Sequence, residues 1–387
     1  MSKIVVAQAV SFALEVLIPM SKELLQTPLH DLHVEFGARM VEFAGWEMPV
    51  QFAGITKEHN HTRTACSVFD VSHMGRLRLT GDDCEAFLNR ICTRNLTDAE
   101  VGRSYYSHVC RPDGGILDDV IVSRFEESWG IVCNASNREK ITSWIDEHRK
   151  GRDVELVDET RSTAMIACQG PKTLELAQEL TGSDMSSLKR YRFSVREVGP
   201  MSIVTYRCGY TGEDGFEVVI PAGLAPVLVP RLLGSKDQPH AVIKPAGLGA
   251  RDTLRIEAAM PLYGHELSEE VDSLTAGQSW CVDLNKDFIG ADAMRKLNDG
   301  GLSRRLVGLE LDGRRIARQH AGVYRASRTV GKVSSGTLSP TLGTSIAMAF
   351  VNADDAAEGT TMEVEVGSKR TAAKVVGLPF YKRGASR

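Results

Sequence analysis

The clearest pattern of apolar and polar positions lies in the last third of the chain. Residues 305–311, 322–324, 329–333, 346–351, 362–366 and 372–376 alternate or run β-branched, with glycine or proline between most of them. Successive strand residues face opposite sides, so this region predicts a small antiparallel β-domain or barrel. Upstream, two periods interleave. Strand patterns fall at 40–43, 76–79, 103–109, 116–122, 128–134, 162–168, 202–207 and 218–220. Helical spacing appears around 31–36 and at 57–64, 84–94, 224–233, 250–260 and 291–297. Two further helices are expected, one capped by residues 134–137 and carrying Ile141, Trp144 and Ile145, the other opened by Gly170-Pro171. Residues 80–83 read as the cap of the helix at 84. The whole predicts an α+β chain of several domains with mostly antiparallel sheets.

Three stretches carry candidate chemistry. Residues 209–217 read G-Y-T-G-E-D-G-F-E between two strands. Their glycines permit positive φ and close approach of a ligand to the backbone. Glu217 falls where the second strand starts, so its carboxylate has a fixed direction. Beside Tyr210 it suits a flat heterocycle with paired N–H donors; a glycine-rich hairpin with solvated acids is the bland alternative. The second stretch is the hairpin 103–122, turned by Arg111-Pro112-Asp113-Gly114-Gly115, whose return strand holds Asp118 and Asp119. Adjacent strand residues face opposite ways, so one acid can point inward and one to solvent. An inward acid costs several kcal/mol unless bonded, which marks either a functional carboxylate or one tied to a neighbouring loop. The third is Ala246-Gly247-Leu248-Gly249-Ala250-Arg251-Asp252. Its glycines lack the third member of a dinucleotide fingerprint and read instead as a loop into a helix. Arg251 and Arg255 share one helix face, and Arg251 sits near the positive dipole end, where it needs a compensating anion.

Other groups point to structure. Asp70, Ser72 and His73 are close in sequence, but the adjacent Ser and His face opposite ways on an extended strand and no G-x-S-x-G elbow is present, so a hydrogen-bonded structural role is expected. His59 and His61 lie two apart on a helix, a poor metal pair, and are expected to be surface or capping residues. The eight cysteines form no C-x-x-C pair and read as free thiols. Over 387 residues the net charge is −4, with Lys and Arg scattered, which argues against a dedicated nucleic-acid or membrane surface. Residues 4–19 are apolar but short for a membrane span, and Glu15 interrupts them. They lack the arginines of a transit peptide, and Met20-Ser21-Lys22 reads as an ordinary cytoplasmic start. Residues 1–20 are therefore expected to be an appended extension, or Met20 the true initiator.

These motifs, in their order and spacing, resemble the aminomethyltransferase (T-protein) family of the glycine cleavage system. The likeness runs from Thr27-Pro28-Leu29 to Pro379-Phe380-Tyr381. It includes Gly45-Trp46-Glu47-Met48-Pro49, Phe69-Asp70-Val71-Ser72-His73-Met74, Gly114–Asp119, Gly209–Glu217, Gly247–Asp252, Leu262-Tyr263-Gly264 and Ser335–Gly343. The resemblance implies three domains in a cloverleaf around a central folate channel: a discontinuous first domain (21–76 and 161–265), an inserted second domain (77–160) and a β-rich C-terminal barrel (266–387). It implies transfer of the aminomethyl carbon from the lipoyl arm of the H-protein to tetrahydrofolate, giving methylenetetrahydrofolate, ammonia and the dihydrolipoyl arm. Tetrahydrofolate is then a co-substrate, the lipoyl group comes with the H-protein, the P- and L-proteins are functional partners, and no metal is needed. A cytoplasmic monomer is implied. Asp119 matches the family's catalytic aspartate. Glu217 and Tyr210 match the pterin site, and Arg251 and Tyr106 further folate-pocket positions. Asn134, Trp280 and Arg383 match less conspicuous pocket positions. The same superfamily offers a folate-dependent demethylase or a non-catalytic folate-binding protein as alternatives. The K-G-C-Y-x-G-Q-E segment of the iron–sulfur assembly factors is absent, as is the flavin domain of the sarcosine and dimethylglycine dehydrogenases.

Overall fold

The computed structural model describes residues 23–181, 185 and 187–384. The expected N-terminal extension, residues 1–20, lies outside them. Among the described residues, strands form three open sheets and one closed barrel. The barrel contains Arg304–Leu311, Gly322–Arg325, Arg328–Leu338, Ser345–Asn352, Thr361–Val366 and Lys369–Val376, so all six segments marked by alternation are strands. Along Thr361–Val366, Met362, Val364 and Val366 are buried and the residues between them exposed, as a barrel wall with one wet face requires.

A five-stranded sheet is ordered Arg103–Cys110, Ile116–Arg124, Trp129–Cys133, Gly75–Thr80, Glu155–Asp158. A six-stranded sheet is ordered Phe193–Val198, Met201–Tyr206, Gly215–Pro221, Thr163–Gln169, Cys66–Asp70, Ile243–Pro245. Arg39–Phe43 and Leu25–Gln26 flank Trp46–Gln51 in a small third sheet. Pairing is antiparallel apart from Leu25–Gln26 with Trp46–Gln51 and Ile243–Pro245 with Cys66–Asp70. Among the described residues no helix is long and apolar enough to cross a membrane.

Several expectations need correction. Cys66–Asp70 is a strand that shows no alternation because all five residues are buried. Asn134 and Asn137 make no side-chain cap, since Asp118 takes both amides. The helix Cys84–Ile91 also lacks a side-chain cap; Asp83 instead accepts from the Asp153 amide. That helix ends three residues early, at Ile91. His59 is neither a surface nor a capping residue but is fully buried.

The reason for its burial is a polar hub at Glu257, the last residue of the helix Leu248–Glu257. Arg63 and His59, from the helix Ile55–Thr64, approach Glu257 Oε2 at 2.8 and 3.2 Å. From the barrel, Ser339 Oγ and the Thr341 amide donate to Oε1, and Thr341 Oγ1 donates to Oε2. Arg63 also donates to Glu213 and to the Thr211 carbonyl at 2.9 and 2.7 Å, while Tyr381 donates to Glu213 at 2.7 Å and lies under the Arg63 guanidinium. Burial pushes the Glu257 carboxyl up, but the His59 hydrogen bond and charge, then Ser339 and Arg63, outweigh it and hold the group down at about 2. A depressed carboxyl stabilises the fold above its ordinary range and stops doing so as pH falls through the folded value. Urea midpoints should therefore drop as pH falls from 4.5 towards 2. Glu257→Ala removes one of the two carboxylates that hold the buried Arg63 guanidinium and takes the acceptor from Ser339 and Thr341, which should cost about 3–5 kcal/mol at neutral pH. A urea midpoint within error of the parent would show that the hub does not carry this load.

Candidate functional site

Asp118 and Asp119 sit on Ile116–Arg124, one strand from the edge of the five-stranded sheet. The register pairs Ile121 with Val132, so Asn134 follows the end of Trp129–Cys133 opposite Asp119. There it gathers both acids. Its amide nitrogen donates to Asp118 Oδ1 at 2.8 Å and to Asp119 Oδ1 at 2.7 Å. Its backbone N–H donates to Asp118 Oδ2 at 2.9 Å, and Asn137 adds a bond to Asp118 at 2.6 Å. Asp118 is buried and Asp119 partly exposed. The expected split between an inward and a solvated acid therefore becomes a coupled pair sharing one amide. Burial pushes both carboxyls up, and the Asp119 charge pushes Asp118 further. Such a pair carries its second charge only at cost and retains a proton well above the usual carboxylate range. The partners of Asp118 among the described residues are all donors, leaving no acceptor for a proton placed there. The shared proton therefore belongs on Asp119, whose Oδ2 lies 3.1 Å from the Tyr106 hydroxyl.

Tyr106 and Tyr210 both lie within the field of Asp119. Trp280 stacks on Tyr106 with ring centroids 5.2 Å apart and planes at 19°, yet is 53% exposed, so its outer face is available. The Tyr210 hydroxyl donates to the Pro261 carbonyl, leaving its ring as the usable surface. The Arg251 guanidinium lies 4.7 Å from that ring centre. Burial pushes the Arg251 pKa down while the Glu217 charge pulls it up. Arg251 Nη1 is buried with no hydrogen-bond acceptor among the described residues. This is the compensating anion that the helix start demanded: Glu217 supplies the charge without closing a salt bridge.

The loop holding Tyr210 works differently from the sequence expectation. Only Gly212, at φ +80°, uses the left-handed region. Gly209 and Gly215 are required by packing: a Cβ would meet the Gln169 side chain at 2.0 Å or the Cys168 carbonyl at 2.3 Å. Two of the loop's acids are spent on the fold, Glu213 on Arg63 and Tyr381, and Asp214 on Arg207. Arg383 joins Asp214 at 2.7 Å, so it contacts this ion-paired part of the loop and not the acid pair. Glu217 is different. Its only side-chain donor among the described residues is the Cys208 thiol, at 3.0 Å. Burial, then the Glu217 charge, raise the Cys208 pKa and keep it a thiol. Sequence reasoning missed Cys208, although its place two residues before Tyr210 was a usable signal. It also missed Asn137 as a partner of the acids.

Asp70, Ser72 and His73 form no triad. Asp70 accepts from Thr27, the Ser72 amide and His33 at 2.6, 2.8 and 2.8 Å, a structural role as expected. Among the described residues no group of His, Cys, Asp or Glu has the arrangement of a metal site.

Comparison with known proteins bears on this arrangement. Residues 29–286 match the family model described as the GCVT N-terminal domain, and residues 304–382 match that of the glycine cleavage T-protein C-terminal barrel domain. The chain is 46% identical over 362 residues to a protein of Rubrobacter xylanophilus named aminomethyltransferase, covering 93% of this chain and 95% of the relative. It is 40% identical to one of the same name from Bacillus subtilis, covering 93% of this chain and 100% of the relative. The crystal structure of the glycine cleavage system aminomethyltransferase T from Bartonella henselae superposes with a TM-score of 0.87 at 31% identity, covering 93% of this chain and 98% of that one.

The shared amide yields a direct test. Asn134→Ala removes donors that favour both anions, so the pair should hold its proton to higher pH. The carboxyl ¹³C titration midpoint should rise by about one unit, the worth of one buried hydrogen bond. A midpoint that stays in place would mean that the amide does not couple the acids.

Proposed function

The chain belongs to the glycine cleavage T-protein family, and on that premise we propose that it is the aminomethyltransferase that moves the one-carbon unit from the S-aminomethyldihydrolipoyl arm of H-protein to tetrahydrofolate. The observation that carries the reading is the pairing of Glu217, an acceptor with one oxygen free of side-chain donors, with the acceptor-less Nη1 of buried Arg251, whose guanidinium lies over the Tyr210 ring, itself within the field of Asp119. A pterin presents adjacent N–H donors on its pyrimidine edge and acceptors elsewhere on a flat ring. Glu217 accepts those donors in a charge-assisted contact, and Arg251 supplies the donor for the opposite polarity. Tyr210 and the Tyr106–Trp280 stack offer flat surfaces to the rest of the molecule.

The reaction breaks the C–S and C–NH₂ bonds of the carried unit and forms two C–N bonds to the folate. The two hydrogens displaced from the folate nitrogens end on the dihydrolipoyl sulfur and on ammonia. Asp119 gives its proton to the departing group and takes one back from the folate nitrogen as a C–N bond forms. Its raised pKa suits this exchange near neutral pH. Asp118, ringed by donors, holds the compensating charge, and Asn134 fixes the two acids relative to each other. Holding folate and lipoyl arm together supplies much of the rate.

In this reading the chain is a cytoplasmic monomer that docks lipoylated H-protein and works with the P- and L-proteins, without nucleic acid or membrane. Its domains divide at residues 76, 160 and 265. Demethylase and non-catalytic readings are not favoured, since relatives matched over most of the chain at 40–46% identity are named aminomethyltransferase.

The test is an assay with aminomethylated H-protein and tetrahydrofolate, following methylenetetrahydrofolate and ammonia; no product with a competent H-protein would sink the reading. Asp119→Asn should cut turnover about 10²-fold or more while folate affinity stays within about tenfold. Near-normal turnover would remove Asp119 from the chemistry. Glu217→Ala should lose folate binding first, and unchanged affinity by calorimetry would refute the pterin contact.

A further inference from the structure

The Tyr106 hydroxyl has one proton and two acceptors within reach, Asp119 Oδ2 at 3.1 Å and His108 Nε2 at 3.3 Å. The geometry is set by the hairpin. Tyr106 and His108 lie two apart on Arg103–Cys110 and so face the same side, and His108 is the direct cross-strand partner of Asp119. His108 is fully buried, and its Nδ1 lies 2.7 Å from Ser273 Oγ, also fully buried.

We propose that the Tyr106 hydroxyl is a two-position rotor whose second seat is His108 Nε2, which makes His108 a positioning residue that keeps Asp119 hydrogen-bonded both with and without its proton. The proposal rests on the reading of Asp119 as the proton carrier of the transfer. When Asp119 is ionised, the phenol O–H donates to Oδ2. When Asp119 is protonated, its own O–H donates to the phenol oxygen, and the phenol turns its proton to His108 Nε2. One proton enters at Oδ2 and one leaves there; no heavy atom moves.

Two conditions must hold, and both have support. The imidazole must be neutral, and burial pushes it down to about 3. Its proton must sit on Nδ1, where Ser273 Oγ is placed to accept it. Without the second seat, protonating Asp119 would leave the phenol O–H of half-buried Tyr106 with no acceptor among the described residues, which penalises that state. Other titratable groups around this stretch are Cys110 on the same strand, Asp118 beside Asp119, Tyr210, whose pKa burial raises, and Cys92, Cys281 and Asp272 from packed segments. Burial raises the three thiols, so they stay neutral. Asp272 is engaged by the backbone amides of Leu274 and Thr275.

¹⁵N NMR of histidine-labelled protein tests the rotor. The His108 signals, among ten histidines, are those missing from His108→Gln. The expected ring is neutral and Nδ1-protonated throughout, with Nε2 shifting upfield as the Asp119 carboxyl, followed by ¹³C NMR and assigned with Asp119→Asn, takes up its proton. An Nε2-protonated ring, or an Nε2 signal indifferent to that titration, overturns the proposal. In His108→Leu the Asp119 midpoint should move down by about one pH unit. His108→Gln, whose amide oxygen can accept from the phenol, should recover at least half of that shift. An unmoved midpoint in folded His108→Leu overturns the proposal. If that variant fails to fold, Ser273→Ala serves, since it frees the Nε2-protonated form and must lower the midpoint too. None of the NMR readouts needs turnover. A wild type that makes no product with H-protein removes the aminomethyl reading and still leaves the rotor decided.

Discussion

The structure depends on the buried carboxylate of Glu257. It ends the helix that presents Arg251, and it receives donors from the helix Ile55–Thr64 and from the barrel loop at Ser339–Thr341. Through Arg63 the same hub reaches Thr211 and Glu213, which fix the loop that carries Tyr210. Three regions distant in sequence are thus registered against one another by hydrogen bonds to one residue. A hydrophobic interface is tolerant of small slips, but donors aimed at two oxygens are not. That precision is what a site assembled from separate segments needs.

The acid pair solves a second problem of assembly. Two carboxyls on adjacent strand residues would normally diverge. Here the ladder Ile116–Arg124 with Trp129–Cys133 runs out just before Asn134, freeing that residue to turn its amide across both. The result separates roles by surroundings alone. Asp118 has three N–H donors and holds charge; Asp119 has one N–H and a phenol, and can exchange a proton. Identical side chains acquire different duties from their neighbours, as expected where environment sets protonation.

Much of this was legible in the sequence, for identifiable reasons. Barrel strands such as Thr361–Val366 were found because one wet face makes them alternate, and Ser345–Asn352, buried through its first five residues, because turn residues bound its apolar run. Cys66–Asp70 was missed because it has none. The importance of Asp118, Asp119, Glu217 and Arg251 was visible as charge in places that penalise charge. Their partners were not, because Asn134 and Asn137 look like helix caps, and Cys208 looks like any buried thiol. His59 was misjudged because its justification, Thr253, Glu257 and Thr341, lies almost two hundred residues or more away.

The loop at residues 209–217 shows why local reading could not rank its own acids. All three looked equally available. Glu213 and Asp214 are neutralised by arginines whose positions depend on the hub and on the neighbouring strand, at 2.9 and 3.0 Å. Only Glu217 is left facing a guanidinium that never closes on it. A charge held near its counter-charge but short of contact is unfavourable as a resting arrangement, because each group forgoes the bond that would offset its desolvation. It is favourable if something with complementary donors and acceptors fits between. The fold meets that cost with the Glu257 network, and the unspent bonding capacity of Glu217 and Arg251 is what remains for recognition.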